Sequence, residues 1–244
     1  MENILISGLW DLINKAFVLT ITILSIANLS LICKYWSILK KTKYKLTSIA
    51  LFCFNFIYVP LMPFSADKLG DIVNNCYYII LSISEILFYY TITVSTGQSN
   101  RQNKLVLTIS IIAIFMIIVN TFKNDEGSND EHIFMIISLV YTNSSLQYFK
   151  KLSQNPETFL NVKQSDIFLQ LALFLCNSLP MTASICQIGI KAIVPNFNSR
   201  WFSDSSSSVG MFNILQYFSL IGYSLLLFYT IKALRWIKQT YTLM

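Results

Sequence analysis

The chain alternates between seven long apolar runs and short polar tracts. The runs are roughly Leu12–Cys33, Leu46–Phe64, Asn75–Ser95, Leu105–Phe122, His132–Phe149, Ile167–Ile190 and Met211–Leu234. Each approaches the about 20 mostly apolar residues (about 17 to 25) that a helix needs to cross a bilayer. Within the runs the apolar residues are continuous, not alternating, so they predict helices rather than barrel strands. Those are the two structures that satisfy the backbone in lipid. The expected fold class is therefore all-α: a polytopic seven-helix bundle, one transmembrane domain over residues 1–244. The connections are short. The longest, Lys191 to Gly210, holds Pro195, Asn196, Asn198 and the run Ser205–Ser208, and reads as an external loop.

The polar tracts carry the orientation. One side holds Lys34, Lys40, Lys41, Lys43 and Lys45, then Arg101 and Lys104, then Lys150, Lys151 and Lys163, and last Lys232, Arg235 and Lys238. The other side holds Lys15, Lys68, Lys123, Lys191 and Arg200, together with Asp67, Asp71, Asp125, Glu126, Asp130 and Glu131. Basic loops face the cytoplasm, so the N-terminus is expected outside and the C-terminus inside. An odd number of helices is what lets this alternation hold.

Composition agrees. Hydrophobic residues make up 54% and charged residues 12%, against about 25% charged in a soluble domain. Mean hydropathy is +0.55. The net charge of +6 sits in tracts between apolar runs, which suits a membrane surface and leaves no reason to invoke nucleic acid. Met1 to Trp10 has no Lys or Arg and contains Glu2, so the first run is expected to be a retained span rather than a signal peptide. No output domain is expected after the last run.

A weak internal correspondence links the third and seventh runs. Residues 77–89 and 217–229 share five identities, among them Ser84 with Ser224 and two Leu-Phe-Tyr triplets. The second and sixth runs each carry a late proline, Pro60 and Pro180. Such a pattern suits parallel repeats in a 3+1+3 plan; resemblance among aromatic-rich apolar segments is the plainer explanation.

Glu85 is the strongest candidate for chemistry, because it falls near the middle of the third run. A carboxylate at that depth must face a partner, water or a cavity. It reads either as a ligand-binding or coupling site or as a lock between two helices. Asn28, Asn55, Asn143, Asn177 and Gln216 also fall inside runs. Each alone reads as interhelical glue worth about 1 kcal/mol; with Glu85, Tyr58, Tyr89, Tyr141 and Tyr223 they are candidates for one polar pocket. Pro60, Pro63 and Pro180 mark helix kinks or ends. The single histidine, His132, reads as an interfacial residue.

Five cysteines, Cys33, Cys53, Cys76, Cys176 and Cys186, lie in or beside apolar runs, where the thiol acts as a small hydrophobe. Cys76 and Cys186 fall toward the same outer face, so a disulfide between them is one option. No metal-ligand spacing is present, and phosphate-binding and hydrolase motifs are missing. No cofactor, metal or catalytic residue is expected, and the protein is not expected to be an enzyme.

Two stretches carry a family likeness. One is Asn75-Cys76-Tyr77-Tyr78 with Glu85-Ile86-Leu87-Phe88-Tyr89-Tyr90. The other runs from Tyr148-Phe149-Lys150-Lys151-Leu152-Ser153 through Asn155-Pro156-Glu157-Thr158-Phe159-Leu160 to Ser165-Asp166-Ile167-Phe168-Leu169. The chain resembles small seven-helix membrane proteins of Bacteroidota that often accompany sensor histidine kinases, although it lacks a tryptophan found in the family at the start of the sixth helix. The resemblance implies a sensory or signalling role in the bacterial inner membrane, and Glu85 is the position that transfers. The expectation is a multi-pass protein that binds a small or lipidic ligand, or a partner's helix, within the bundle. Its partners would be the bilayer and a separate signalling protein, with self-association as a further option. A small-solute transporter on the 3+1+3 plan is the alternative.

Overall fold

The computed structural model describes residues 2–61, 71–97, 99–123, 128–154, 163–193 and 208–242. Among them are seven helices and no strand: α1 Glu2–Leu39, α2 Lys45–Leu61, α3 Asp71–Ser95, α4 Asn100–Lys123, α5 Ser128–Gln154, α6 Gln164–Ile193 and α7 Ser208–Thr242. Each contains the run that predicted it or most of it, and several extend beyond. The polar ends of the helices add turns that an apolar pattern does not mark.

Three segments of the described residues are long and apolar enough to cross a membrane unaided: Lys15–Leu39, Asn100–Thr121 and Phe218–Tyr241. Lys45–Ile57 and Ile79–Ser95 are shorter apolar helices. The expectation of seven equivalent spans is thus met in part. α5 and α6 give no segment of that length and hydropathy among the described residues.

The helix ends follow local chemistry. α1 stops in a turn in which Thr42 Oγ1 donates to Leu39 O at 2.9 Å and accepts from Tyr44 N at 3.2 Å, leading into α2. Between α3 and α4 the chain turns at Gly97, whose φ of 78° is the left-handed conformation that a helix C-terminus commonly requires. Ser99 then caps α4: Gln102 N donates to Ser99 Oγ at 3.4 Å, and Ser99 Oγ donates to Gln102 Oε1 at 3.1 Å. Asp166 sits in the first turn of α6, where a carboxylate complements the helix dipole.

Packing follows chain order. Each helix contacts its sequence neighbour, and α1 also packs on α7, so the helices close a ring; the α6–α7 contact is the most extensive. α3 is drawn inward and also touches α5 and α6. The core accordingly centres on Ile86, Phe88, Tyr89 and Ile92 of α3, met by Tyr141, Leu173 and Leu226. A smaller cluster of Ile21, Phe54, Leu220 and Leu227 joins α1, α2 and α7.

The ring is apolar on its outside as well. Phe115 is 66% exposed, and Leu19, Phe56, Ile80, Ile111, Ile136 and Leu139 are also exposed. Exposed hydroxyls turn back onto their own helices: Thr20 Oγ1 donates to Ala16 O and Thr108 Oγ1 to Lys104 O. An apolar exterior whose few hydroxyls are satisfied internally is the pattern that a non-aqueous surrounding favours.

Candidate functional site

Glu85 lies on the inward side of α3, partly buried, at the meeting of α3, α6 and α7. Its Oε1 accepts two phenols: Tyr89 OH at 2.6 Å, one turn along α3, and Tyr223 OH at 2.7 Å, from α7. The spacing of four residues places Tyr89 beside Glu85 on one helix face. Its Oε2 accepts no hydrogen bond among the described residues. Tyr89 OH also lies 3.0 Å from Cys176 Sγ of α6. Three helices are thus joined through one carboxylate and one phenol.

Aromatic rings enclose this centre. Tyr141 of α5 stands edge-on to Tyr89 with ring centroids 5.3 Å apart. Its hydroxyl lies 2.8 Å from Ser110 Oγ of α4 and donates to Ile86 O at 3.2 Å. Phe54 of α2 stacks on Phe88 and on Tyr223. Close approach of α6 and α7 beside the centre depends on Gly222, where an added Cβ would come within 3.2 Å of Cys176 O.

Of the residues singled out in the sequence, Glu85, Tyr89, Tyr141 and Tyr223 therefore converge. Asn55 and Asn177 are buried but donate to carbonyls of their own helices, Leu51 O at 2.7 Å and Leu173 O at 2.8 Å. Neither hydrogen-bonds Glu85. Asn55 Oδ1 is buried with no hydrogen-bond partner among the described residues. Asn28 is interhelical glue: Nδ2 donates to Leu227 O and Oδ1 accepts from Thr230, each at 3.1 Å, tying α1 to α7. Asn143 is exposed instead. Pro180 lies within α6 and Pro60 within the span of α2. The side chains of Tyr58, Pro60, Gln216, His132 and Cys186, and all of Pro63, lie outside the described residues. Cys76 is a free, exposed thiol; the disulfide considered with Cys186 falls outside the described side chains.

Two features were not singled out in the sequence. One is the role of Cys176, read there as a small hydrophobe. The other is a polar lock at the lysine-rich end. Asp166 Oδ2 pairs with Lys43 Nζ at 2.7 Å, and Asp166 Oδ1 accepts from Tyr44 OH at 2.7 Å. Ser165 Oγ lies 2.8 Å from the same phenol. Burial and the adjacent carboxylate hold the Tyr44 phenol above the usual tyrosine range. Nearby, Lys163 Nζ donates to Tyr241 OH at 3.0 Å. An acid placed among the lysines of the basic side was the available signal for this lock. No group of three or more His, Cys, Asp or Glu able to hold a metal occurs among the described residues.

No family model, curated protein or solved structure matches this chain.

Proposed function

We propose that this chain is a multi-pass membrane protein of sensory or signalling type. All seven helices cross the bacterial inner membrane, with the N-terminus outside and the basic loops in the cytoplasm. The apolar exterior of α2, α3, α5 and α6 supports counting them as spans beside the three apolar segments: Phe56, Ile80, Leu87, Ile136, Leu139 and Ile185 are all exposed. The division of lysines and acids between the two ends supports the orientation.

Glu85 is the ligand or coupling group. The observation that carries this reading is the asymmetry of its carboxylate: one oxygen holds two phenols, while the other accepts nothing among the described residues. A partly buried carboxylate with a free acceptor suits a donor from a small or lipidic ligand, or from a partner's helix. Because Tyr89 and Tyr223 share the same oxygen, a ligand that draws on Glu85 also acts on the joint between α3, α6 and α7. Any signal would pass to a separate partner through the basic loops.

The test is a thermal-shift screen of amines, amphiphiles and lipids on the purified protein and on Glu85→Gln. A compound that stabilises the first and not the second supports the reading. If every compound that binds stabilises both equally, or if Glu85→Gln has no more effect than Phe56→Leu and Phe115→Leu, Glu85 has no special role.

A further inference from the structure

Asn143 lies midway along α5 yet is exposed, on a ring whose exterior is mainly apolar. Gln147 and Lys151 follow at intervals of four, so the three residues share one helix face. α4 contributes Gln102 beside them, whose Oε1 accepts from Lys151 Nζ at 3.4 Å. Here a groove of about 390 Å³ opens, walled by Leu105, Leu139, Leu146 and Met181 and lined by Asn143 and Gln147. Thr142 also lines it; this residue is 5% exposed and its hydroxyl has no hydrogen-bond partner among the described residues. A buried hydroxyl, an exposed amide and a half-buried one on an apolar wall call for an amphiphilic occupant that accepts hydrogen bonds.

The end of the groove fixes the sign of that occupant. Arg101 and Lys104 at the start of α4, and Lys150 and Lys151 near the end of α5, are all exposed at that end of the two helices, where Lys151 reaches Gln102 of the groove. The two carboxylate side chains described in the structure are engaged elsewhere: Glu85 with Tyr89 and Tyr223, and Asp166 with Lys43 and Tyr44. A second copy docked here about a two-fold axis would bring the four cations face to face with their counterparts. A free anion would leave the apolar walls uncovered.

We propose that this groove binds one anionic phospholipid. The phosphate sits among Arg101, Lys104, Lys150 and Lys151. Gln147, about 6 Å deeper along the helix, donates to an ester carbonyl, and an acyl chain lies along Leu105, Leu139 and Leu146. The site is separate from Glu85 and rests only on the multi-pass part of the reading above. Recovery of the chain in carbonate-washed membranes tests that part on its own.

The experiment is native mass spectrometry of the full chain in detergent, titrated with phosphatidylglycerol or with phosphatidylcholine of the same acyl chains. One phosphatidylglycerol should be retained in preference to phosphatidylcholine and should survive excess inorganic phosphate. Arg101→Gln and Lys151→Gln, both at exposed positions, should each weaken retention on the order of fivefold while leaving the unfolding temperature unchanged. Equal retention of the two lipids, retention unaffected by both substitutions, displacement by phosphate, or dimers in place of lipid adducts would each overturn the proposal.

Discussion

The Tyr223 hydroxyl donates to Glu85 Oε1 across 2.7 Å, joining two helices whose contributing residues lie 138 positions apart in the chain. α3 and α7 each pack mainly on other helices, so this bond is a specific link rather than part of a broad interface. Tyr223→Phe removes the donor and keeps the ring stacked on Phe54. It should lower stability by about 1 kcal/mol, the usual worth of one hydrogen bond. Tyr89→Phe should cost more, because that phenol contacts both Glu85 and Cys176. Unfolding in mixed micelles measures both; a reversed order would show that the link to α6 through Cys176 contributes little.

At Gly222, α6 and α7 approach closely. The atoms an added Cβ would meet are the O and Cα of Cys176, both backbone, at 3.2 and 3.3 Å, so no side chain can swing away. Gly222→Ala should destabilise the protein by about 1 to 3 kcal/mol through overpacking, and the shift should loosen the Cys176–Tyr89 contact. The rate at which a thiol reagent modifies Cys176 reads that loosening. Unchanged stability together with an unchanged rate would mean the two helices part without cost.

Asn28 is the hydrogen-bonded tie between the first and last helices. Asn28→Leu keeps the approximate volume and removes the bonds to Leu227 O and Thr230 Oγ1. A loss of about 1 kcal/mol is expected, in line with interhelical polar contacts elsewhere. Asn143→Leu, at an exposed position, should leave stability in detergent unchanged. The same unfolding assay compares the two directly.

Tyr44 gives the lysine-rich end a pH dependence. Its phenol is held above the ordinary value of 10.0 by burial and by Asp166. The folded chain therefore keeps this proton at pH values where the unfolded chain releases it. Its contribution is complete below about pH 10 and declines as the pH rises beyond that value. Tyr44→Phe should cost about 1 to 3 kcal/mol at neutral pH by leaving Asp166 one donor short, and should flatten the alkaline decline. Parallel curves for the two proteins would show that the decline arises at other groups.

Much of the architecture was legible in the amino-acid pattern, because apolar runs of this length leave few alternatives to helices and their number follows from counting. Glu85 was legible for a similar reason: a carboxylate within an apolar run stands out without any knowledge of its neighbours. Tyr89 could be placed beside it by the turn of the helix. Tyr223 could be named as a candidate but not paired, since periodicity orders residues within a helix and carries nothing about which faces of distant helices meet. The same limit explains Asn55 and Asn177, whose amides close on their own helices. It also explains the lock of Asp166 with Lys43 and Tyr44, whose members were hidden in a tract read for its charge. Asn143 departed from the expectation of interhelical glue because an amide's need for a partner does not say whether that partner lies within the chain.

The ring follows the order of the chain, and this bears on how the molecule is built. Synthesis delivers helices from the N-terminus, so each new one arrives beside its predecessor and no earlier pair has to part to admit it. α3 is the exception in timing. It is made third but is enclosed only when α6 and α7 arrive, and until then Glu85 has Tyr89 as its hydrogen-bonding companion, with Tyr223 still to come. An intermediate stalled before the last helix would carry a half-satisfied carboxylate in an open bundle. That is the kind of exposed polar mark by which a quality-control protease can tell an unfinished membrane protein from a finished one.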